Sequence, residues 1–317
     1  MPQLQKLSTP FLRNHQEKTR IHMGPAERDP ILRAALERVS AEESIPPFPT
    51  VCASLLPLLN DPDTTVKKFE DIVKMDASLC MAVLRASHSA IFGGGEMETI
   101  GDAIRRIGIK RFKKIVMTHA INSAVKDLNV RTNWDLFWFH SILVARLTEK
   151  LHSACADNTG MEYIAGLVHD VGKLFIQKFF PDSYSHVITE VAARQLTFEQ
   201  IESDVLGFCH QDVSALICNK WQLGDRLVSA VLYHHDPTSP DLSETDSLLA
   251  TCICLADDLA NYCGANLEML RNFHFEDVQE GYAWRFMQTF PRVRSVYIDV
   301  EVEVAEIEEA LSEMRTA

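Results

Sequence analysis

The sequence predicts an all-α protein. Apolar residues recur at three- and four-residue spacings from about residue 30 onward, and no convincing stretch alternates apolar with polar residues as a half-buried strand would. Clusters of Pro, Gly, Asn and Asp punctuate the apolar runs at lengths suited to helices.

The elements follow in order. Residues 1–42 form an N-terminal arm: 1 to about 30 mix polar, charged and Pro residues without a period and read as mobile, and one short helix runs from Pro30 to Ser40. IPPFPT at 45–50 fixes an extended entry, and NDPD at 60–63 makes a turn. In DTTVKKFEDIVKMD, Val66, Phe69, Ile72 and Val73 share one helical face behind an Asp63-Thr64 cap. Gly93, Gly94 and Gly95 make a flexible loop. They are not a phosphate cradle, because Glu96, Met97 and Glu98 follow where a P-loop needs Lys and a hydroxyl residue. GDAIRRIGIKRFKKIVMTHAI then carries Ile104, Ile107, Phe112, Ile115 and Val116 at helical spacing.

The sequence turns polar between Val130 and Asp135, which divides a helical half at 43–128 from a second half at 129–263, with one continuous core expected across them. Residues 264–317 form a C-terminal extension. There Val300, Val304, Ile307, Leu311 and Met314 repeat at spacings of four and three, with glutamates on the other faces. This is a short helix with a docking face, expected on its own domain; pairing with a second copy as a homodimer is the alternative.

Composition narrows the function. The chain has 317 residues, 46% apolar and 24% charged, enough for a sizeable core. Its net charge of -13 argues against a nucleic-acid partner, which is held by clustered cations. The basic run Arg105, Arg106, Lys110, Arg111, Lys113 and Lys114 reads as the solvated side of an amphipathic helix, a local anion patch being the alternative. Eight cysteines lie mostly in apolar runs without zinc-ribbon spacing and read as reduced core residues; Cys252 and Cys254 form a CxC inside a helical run. The first residues carry charges where a signal peptide needs its apolar segment, and no run approaches a membrane span, so no membrane role and a cytoplasmic location are expected.

Metal-ligand residue types recur in one order: His140 in WFHSILVA, His169-Asp170 in GLVHDVGK, His210 in FCHQD, His234-His235 in LYHHDP, and Asp257 in CLADDLA. Imidazole and carboxylate suit Mn, Fe or Zn. Helical phase tests each position, because a ligand must point to where the others meet. His140 shares a face with Leu136, Leu143 and Leu147 and should be buried, where Ser141 or a backbone carbonyl would satisfy it if no metal does. His169 lies over Ala165 and Gly166, a small face that admits a neighbouring helix, and Gly172 permits a turn after Asp170. Lys173 can reach an anionic ligand as a point charge. Adjacent helical residues diverge by about a hundred degrees, so His234 and His235 serve one centre only if their helix ends there; a capped end with two solvent-facing histidines is the bland alternative. Asp257 shares the face of Ile253 and Ala250, whereas Asp258 lies nearer the polar edge.

Taken together, these segments resemble the HDOD domain family, a bacterial signalling module related to HD-type phosphohydrolases. The resemblance covers roughly residues 43–263: the opening IPPFPT and its turn, the helix leading to RASHSAIFG, Ala103-Ile104 and Ile107-Gly108, then WFHSILVA, GLVHDVGKL, HQDVSALICNKWQL and LYHHDP. The chain departs from the family where Asp76-Ala77 replaces Asp-Pro and where His88 replaces Asn before Ser89.

The resemblance implies a multi-helical HD-like bundle that regulates by binding a signalling partner in trans or a small phosphorylated ligand. The alternative it implies is a metal-dependent phosphohydrolase acting on a nucleotide or phosphate ester. In that case Asp170 would bridge two divalent ions, with His140, His169 and Asp257 completing one and His210, His234 and His235 the other. The ions would acidify a water for attack on phosphorus, and Lys173 would neutralise substrate charge. No GYP-like segment of the kind used in cyclic-dinucleotide hydrolysis accompanies the site.

Overall fold

The computed structural model describes residues 45–59, 61–88, 99–263 and 275–290, with the single positions 34, 37–39, 293 and 307. The glycine loop at 93–95, most of the N-terminal arm, and Val300, Val304, Leu311 and Met314 lie outside the described residues. Ile307 is helical and buried in the main core. Among the described residues there are helices and no strands, and no helix is long and apolar enough to cross a membrane.

Among the described residues, five helices build the first half: α1 Thr50–Leu59, α2 Val66–Val73, α3 Ala77–His88, α4 Ile100–Ile107 and α5 Ile109–Val125. The N-cap of α2 is Thr65 rather than the Asp63-Thr64 pair. The Asp61 carboxylate explains the shift, since it accepts from Asp63 N at 3.0 Å and Thr64 Oγ1 at 3.0 Å and holds those residues in the turn. Ala77 opens α3 with the Asp76 carboxylate accepting from Leu79 N at 3.0 Å. Position 77 is therefore a first helical residue, where Pro and Ala are both accommodated, and its departure from the family pattern leaves the local conformation intact.

The apolar stripe through residues 100–125 is split. Gly108 adopts φ 78° and ψ 156°, a region open in practice only to glycine, and this turns α4 into α5. The basic run is distributed by that break instead of forming one solvated face. Arg105 remains outside and pairs with Asp102 at 2.8 Å. Lys113 is buried, with Nζ 3.4 Å from Thr159 O, and its pKa is lowered by burial, partly offset by Glu162. Lys110, Arg111 and Lys114 turn toward a cavity.

The second half comprises α6 Trp134–Ser153, α7 Met161–Val168, α8 Val171–Phe179, α9 Pro181–Arg194, α10 Phe198–Leu206, α11 His210–Lys220, α12 Asp225–Leu232 and α13 Glu244–Tyr262; α14 Phe275–Glu280 and α15 Tyr282–Met287 follow. Side chains of Asn133 and Ser243 cap α6 and α13, and a Thr197/Gln200 capping box starts α10. Long α6 packs on both α7 and α13, and α8 packs on α11.

Buried apolar side chains form two clusters, where the sequence reading expected one continuous core. The smaller is built from α1 to α5 around Leu55, Phe69, Leu79, Ile104 and Phe112. The larger fills the second half, and α5 contributes one face to each, Phe112 and Val116 to the first and Met117 and Ile121 to the second. Trp221 Nε1 donates to Pro46 O at 3.0 Å and packs beside Phe48, which ties the extended entry to the second half. All eight cysteines are free; Cys252 is buried and Cys263 is exposed, so the last is an exception to the core reading. Burial raises the Cys252 and Cys254 thiols well above their usual range, which makes them poor ligands, and neither belongs to a metal-ligating group among the described residues.

Candidate metal centre

Small residues create the space. A Cβ on Gly166 would lie 2.7 Å from Ala145 Cα, so α7 is pressed against the backbone of α6. A Cβ on Gly172 would lie 2.2 Å from His210 O, so α8 is pressed against the start of α11. Gly172 thus serves a close approach inside α8 and not the turn expected from sequence; the turn is made by His169 and Asp170 themselves.

Each predicted side chain arrives at one place. His140 is 1% exposed on α6, and its Nε2 lies 3.2 Å from Asp257 Oδ1, 3.4 Å from His169 Nε2 and 3.6 Å from Asp170 Oδ2. Ser141 does not satisfy it, since the Ser141 hydroxyl has no hydrogen-bond partner. His169 Nε2 lies 3.5 Å from Asp170 Oδ2 and 3.8 Å from Asp257 Oδ1. His210, at the first position of α11, places Nε2 3.2 Å from Asp170 Oδ1 and 3.0 Å from His235 Nε2. Helix α12 ends at Leu232, so His234 and His235 stand in a turn with ring centroids 4.0 Å apart. His234 is fully buried and His235 half-buried, which replaces the solvent-facing alternative. Asp257 points inward from α13, and Asn261 one turn later donates to its Oδ1 at 2.9 Å.

The donor atoms sort into two groups, His140, His169 and Asp170 in one and His210, His234 and His235 in the other, each within 4.8 Å of one another. Asp170 faces both, one carboxylate oxygen toward His140 and His169 and the other toward His210. Lys173 donates from Nζ to Asp170 Oδ2 at 2.6 Å and lies 4.9 Å over the Phe198 ring, so its charge is engaged by the centre itself.

Glu202 is a buried residue beside the centre that the sequence reading missed. It is fully buried on α10, and its Oε2 accepts from His210 N at 2.8 Å and pairs with His210 Nδ1 at 2.6 Å. Its carboxylate orients the imidazole and leaves Nε2 for the centre. A signal existed: Glu202 shares the helical face of Phe198, Val205 and Leu206, so phase alone marks it as an inward carboxylate.

The residues fit a metal on two observations. First, Nδ1 of His169 contacts Gly166 O at 2.8 Å and Nδ1 of His234 contacts Val231 O at 2.6 Å, the anchoring that leaves Nε2 as a ligand atom. Second, His234 Nε2 and Asp170 Oδ1 are buried with no hydrogen-bond partner, which is costly unless another group satisfies them. The charge balance agrees. Burial works against ionised Asp170, yet His169, Lys173 and His210 hold it well below the usual carboxylate range. Burial likewise opposes Asp257, and hydrogen bonds from His140 and His169 outweigh it. Burial would lower the His169 pKa, but Asp170 and Asp257 raise it. Burial, then neighbouring histidines, push His234 well down and His235 down to about 3. Burial opposes charge on Lys173, but Asp170, Asp257 and Glu202 raise its pKa.

A family model described as the HDOD domain matches residues 45–237, more than half of the chain. The chain belongs to the HDOD domain family. Asp257 of this HDOD chain lies beyond the matched segment and joins the centre through the packing of α13 on α6, α7 and α12. An HDOD domain protein of unknown function from Geobacter sulfurreducens is 25% identical with a TM-score of 0.68, covering 91% of this chain and 97% of its own. A candidate signal transduction protein from Marinobacter aquaeolei VT8 is 19% identical with a TM-score of 0.69, over 92% of this chain and 66% of that one. A candidate phosphohydrolase from Shewanella amazonensis SB2B is 21% identical with a TM-score of 0.64, over 90% and 97%. The last two carry the fold alone. Among curated proteins, an uncharacterized protein of Treponema pallidum (strain Nichols) is 18% identical over 203 residues, 63% of this chain, which spans 39% of that relative's length.

Proposed function

We propose that this HDOD chain is a bacterial regulatory module whose HD centre binds one or two divalent transition-metal ions, Mn, Fe or Zn, and whose output passes to a protein partner in trans. The observation that carries the reading is the convergence of six ligand-type side chains into two groups of donor atoms, each spanning no more than 4.8 Å, with Asp257 Oδ1 3.2 Å from His140 Nε2 beside them. His140, His169 and Asp257 would complete one ion and His210, His234 and His235 the other, with Asp170 between them.

A second reading, metal-dependent hydrolysis of a phosphate ester, is favoured by one observation in particular. Asp170 offers a different oxygen to each group, His210 at 3.2 Å from one and His140 at 3.6 Å from the other, and a purely structural single-ion site needs no such bridge. Two divalent ions there would supply Lewis-acid charge for hydrolysis of a phosphate ester. The chain's own residues would orient that chemistry: Glu202 fixes the His210 ring, Asn261 fixes Asp257, and Lys173 keeps positive charge beside Asp170.

Elemental analysis of protein purified without chelator or histidine tag, beside Asp170→Ala, tests both readings. Wild-type protein is expected to carry about one or two equivalents of metal, with Asp170→Ala depleted and still helical by circular dichroism. Metal-free wild-type protein that takes up no Mn, Fe or Zn on incubation overturns the metal centre. Loaded protein that hydrolyses bis-p-nitrophenyl phosphate, with Asp170→Ala inactive, advances the hydrolase; loaded but inert protein leaves the regulatory module.

A further inference from the structure

The chain's net charge is -13, yet one cavity runs against it. It has a volume of about 470 Å³ and lies between the two halves, with α3, α4 and α5 on one side and α6 and α7 on the other. Arg85, Lys110, Arg111, Lys114, Arg146 and Lys150 line it, against Glu149 as the one carboxylate among its described lining residues. The lining carries six cations to one carboxylate, a formal excess of five positive charges, with Lys114 paired to Glu149. Arg85, Arg111, Arg146 and Lys150 also engage neighbours of their own, and a concave surface this rich in cations attracts a multiply charged anion.

The lining indicates what kind of anion. The three guanidiniums come from three helices, α3, α5 and α6, and planar donor forks converging from several directions match phosphate oxygens. Thr118, Asn122 and Tyr163 add hydrogen-bonding groups, while Ile107, Ile115 and Ile142 give apolar wall. The volume falls within the range of about 300–1,000 Å³ found for small organic ligands, more than inorganic phosphate needs. A nucleic-acid strand fits less well, because it requires an open track along a basic surface and the chain's net charge is -13.

We propose that this inter-half cavity binds a small organic polyphosphate of the nucleotide class, with the guanidiniums on the phosphates and the isoleucine wall against the base. The site is separate from the HD centre and does not depend on metal there. The two share elements: Arg146 follows His140 by six residues on α6, and Tyr163 on α7 precedes His169 by six. A ligand held between the halves therefore touches both helices that lead to the centre.

The test is equilibrium titration of fluorescently labelled ATP and GTP into the full chain in chelator, with inorganic pyrophosphate and a 20-nucleotide DNA strand as competitors. Saturable binding of at least one nucleotide is expected, unchanged in Asp170→Ala and weakened at least tenfold in Arg111→Ala/Arg146→Ala. Lys110→Gln, at an exposed position, is a milder variant that keeps the test open if the double variant fails to fold, and it should weaken binding several-fold. No saturable binding by folded wild-type protein overturns the proposal. So does binding insensitive to the cavity variants, binding lost in Asp170→Ala, or displacement by the DNA strand at lower concentration than by pyrophosphate.

Discussion

Replacing Gly172 by Ala probes the contact that brings the two halves of the ligand set together. The added Cβ would stand 2.2 Å from His210 O and 2.7 Å from Ser214 N, both backbone atoms that no rotamer change can move. An ordinary carbon to oxygen contact is about 3.3–3.6 Å, so α8 and α11 must part locally by about 1 Å. Overpacking of that kind costs about 1–3 kcal/mol. The separation also breaks the bond from Gly172 N to Ser214 Oγ at 2.8 Å, in a buried place where an orphaned N–H costs about 1–3 kcal/mol. The expected destabilisation is therefore about 2–6 kcal/mol, a large share of the 5–15 kcal/mol that holds an ordinary domain. Urea unfolding in chelator, followed by circular dichroism, measures it without reference to metal. Ser214→Ala isolates the hydrogen-bond part and should cost about 1–3 kcal/mol. A Gly172→Ala loss below about 1 kcal/mol would refute the close approach of α8 and α11 and, with it, the geometry that sets His210 3.2 Å from Asp170.

Glu202→Gln keeps an acceptor for His210 but removes the charge, and metal affinity is expected to fall about 10–100-fold by chelator competition; unchanged affinity in the folded variant would reduce Glu202 to a structural cap. Gly108→Ala meets no atom within 4 Å, so its expected cost of about 1–3 kcal/mol is purely conformational, and a urea unfolding shift near zero would contradict the observed φ of 78°. Stability of metal-free protein should fall on acidification from pH 6.5 toward 4. His234 and His235 have depressed folded pKa values, His235 at about 3 against 6.5 for the free side chain, so the unfolded chain binds more protons in that window. Each contributes a slope of up to about 1.4 kcal/mol per pH unit. His169, shifted upward, opposes this slope weakly near pH 6.5, where the unfolded side chain is only partly protonated, and adds none well below that; lowered Asp170 and Asp257 add to the loss as pH approaches and falls through the ordinary carboxylate value of 3.8. Urea midpoints equal at pH 5 and pH 6.5 would contradict buried, neutral His234 and His235.

Much of the centre was legible because helical phase is a local property. The phase of His140 against Leu136, Leu143 and Leu147 marked it as inward, and Pro237 marked a helix end near His234 and His235, although the helix stops at Leu232 instead of being closed by those histidines. Glu202 obeyed the same rule and was passed over because it belongs to no ligand motif. The split between α4 and α5 was hidden because the apolar stripe continues across Gly108, and only the backbone angle shows that the chain turns there.

The sequence by itself determined the all-helical fold, the family and the ligand types, since periodicity, punctuation and side-chain chemistry are written residue by residue. Tertiary structure decided how these met. Gly172 serves contact with His210 rather than a turn, Asp170 faces two groups at once, and the basic run divides between an exposed edge, the buried Lys113 and a cavity shared with α6. Such outcomes depend on which helices pack together and how closely, a sum of long-range contacts that no local window of sequence contains.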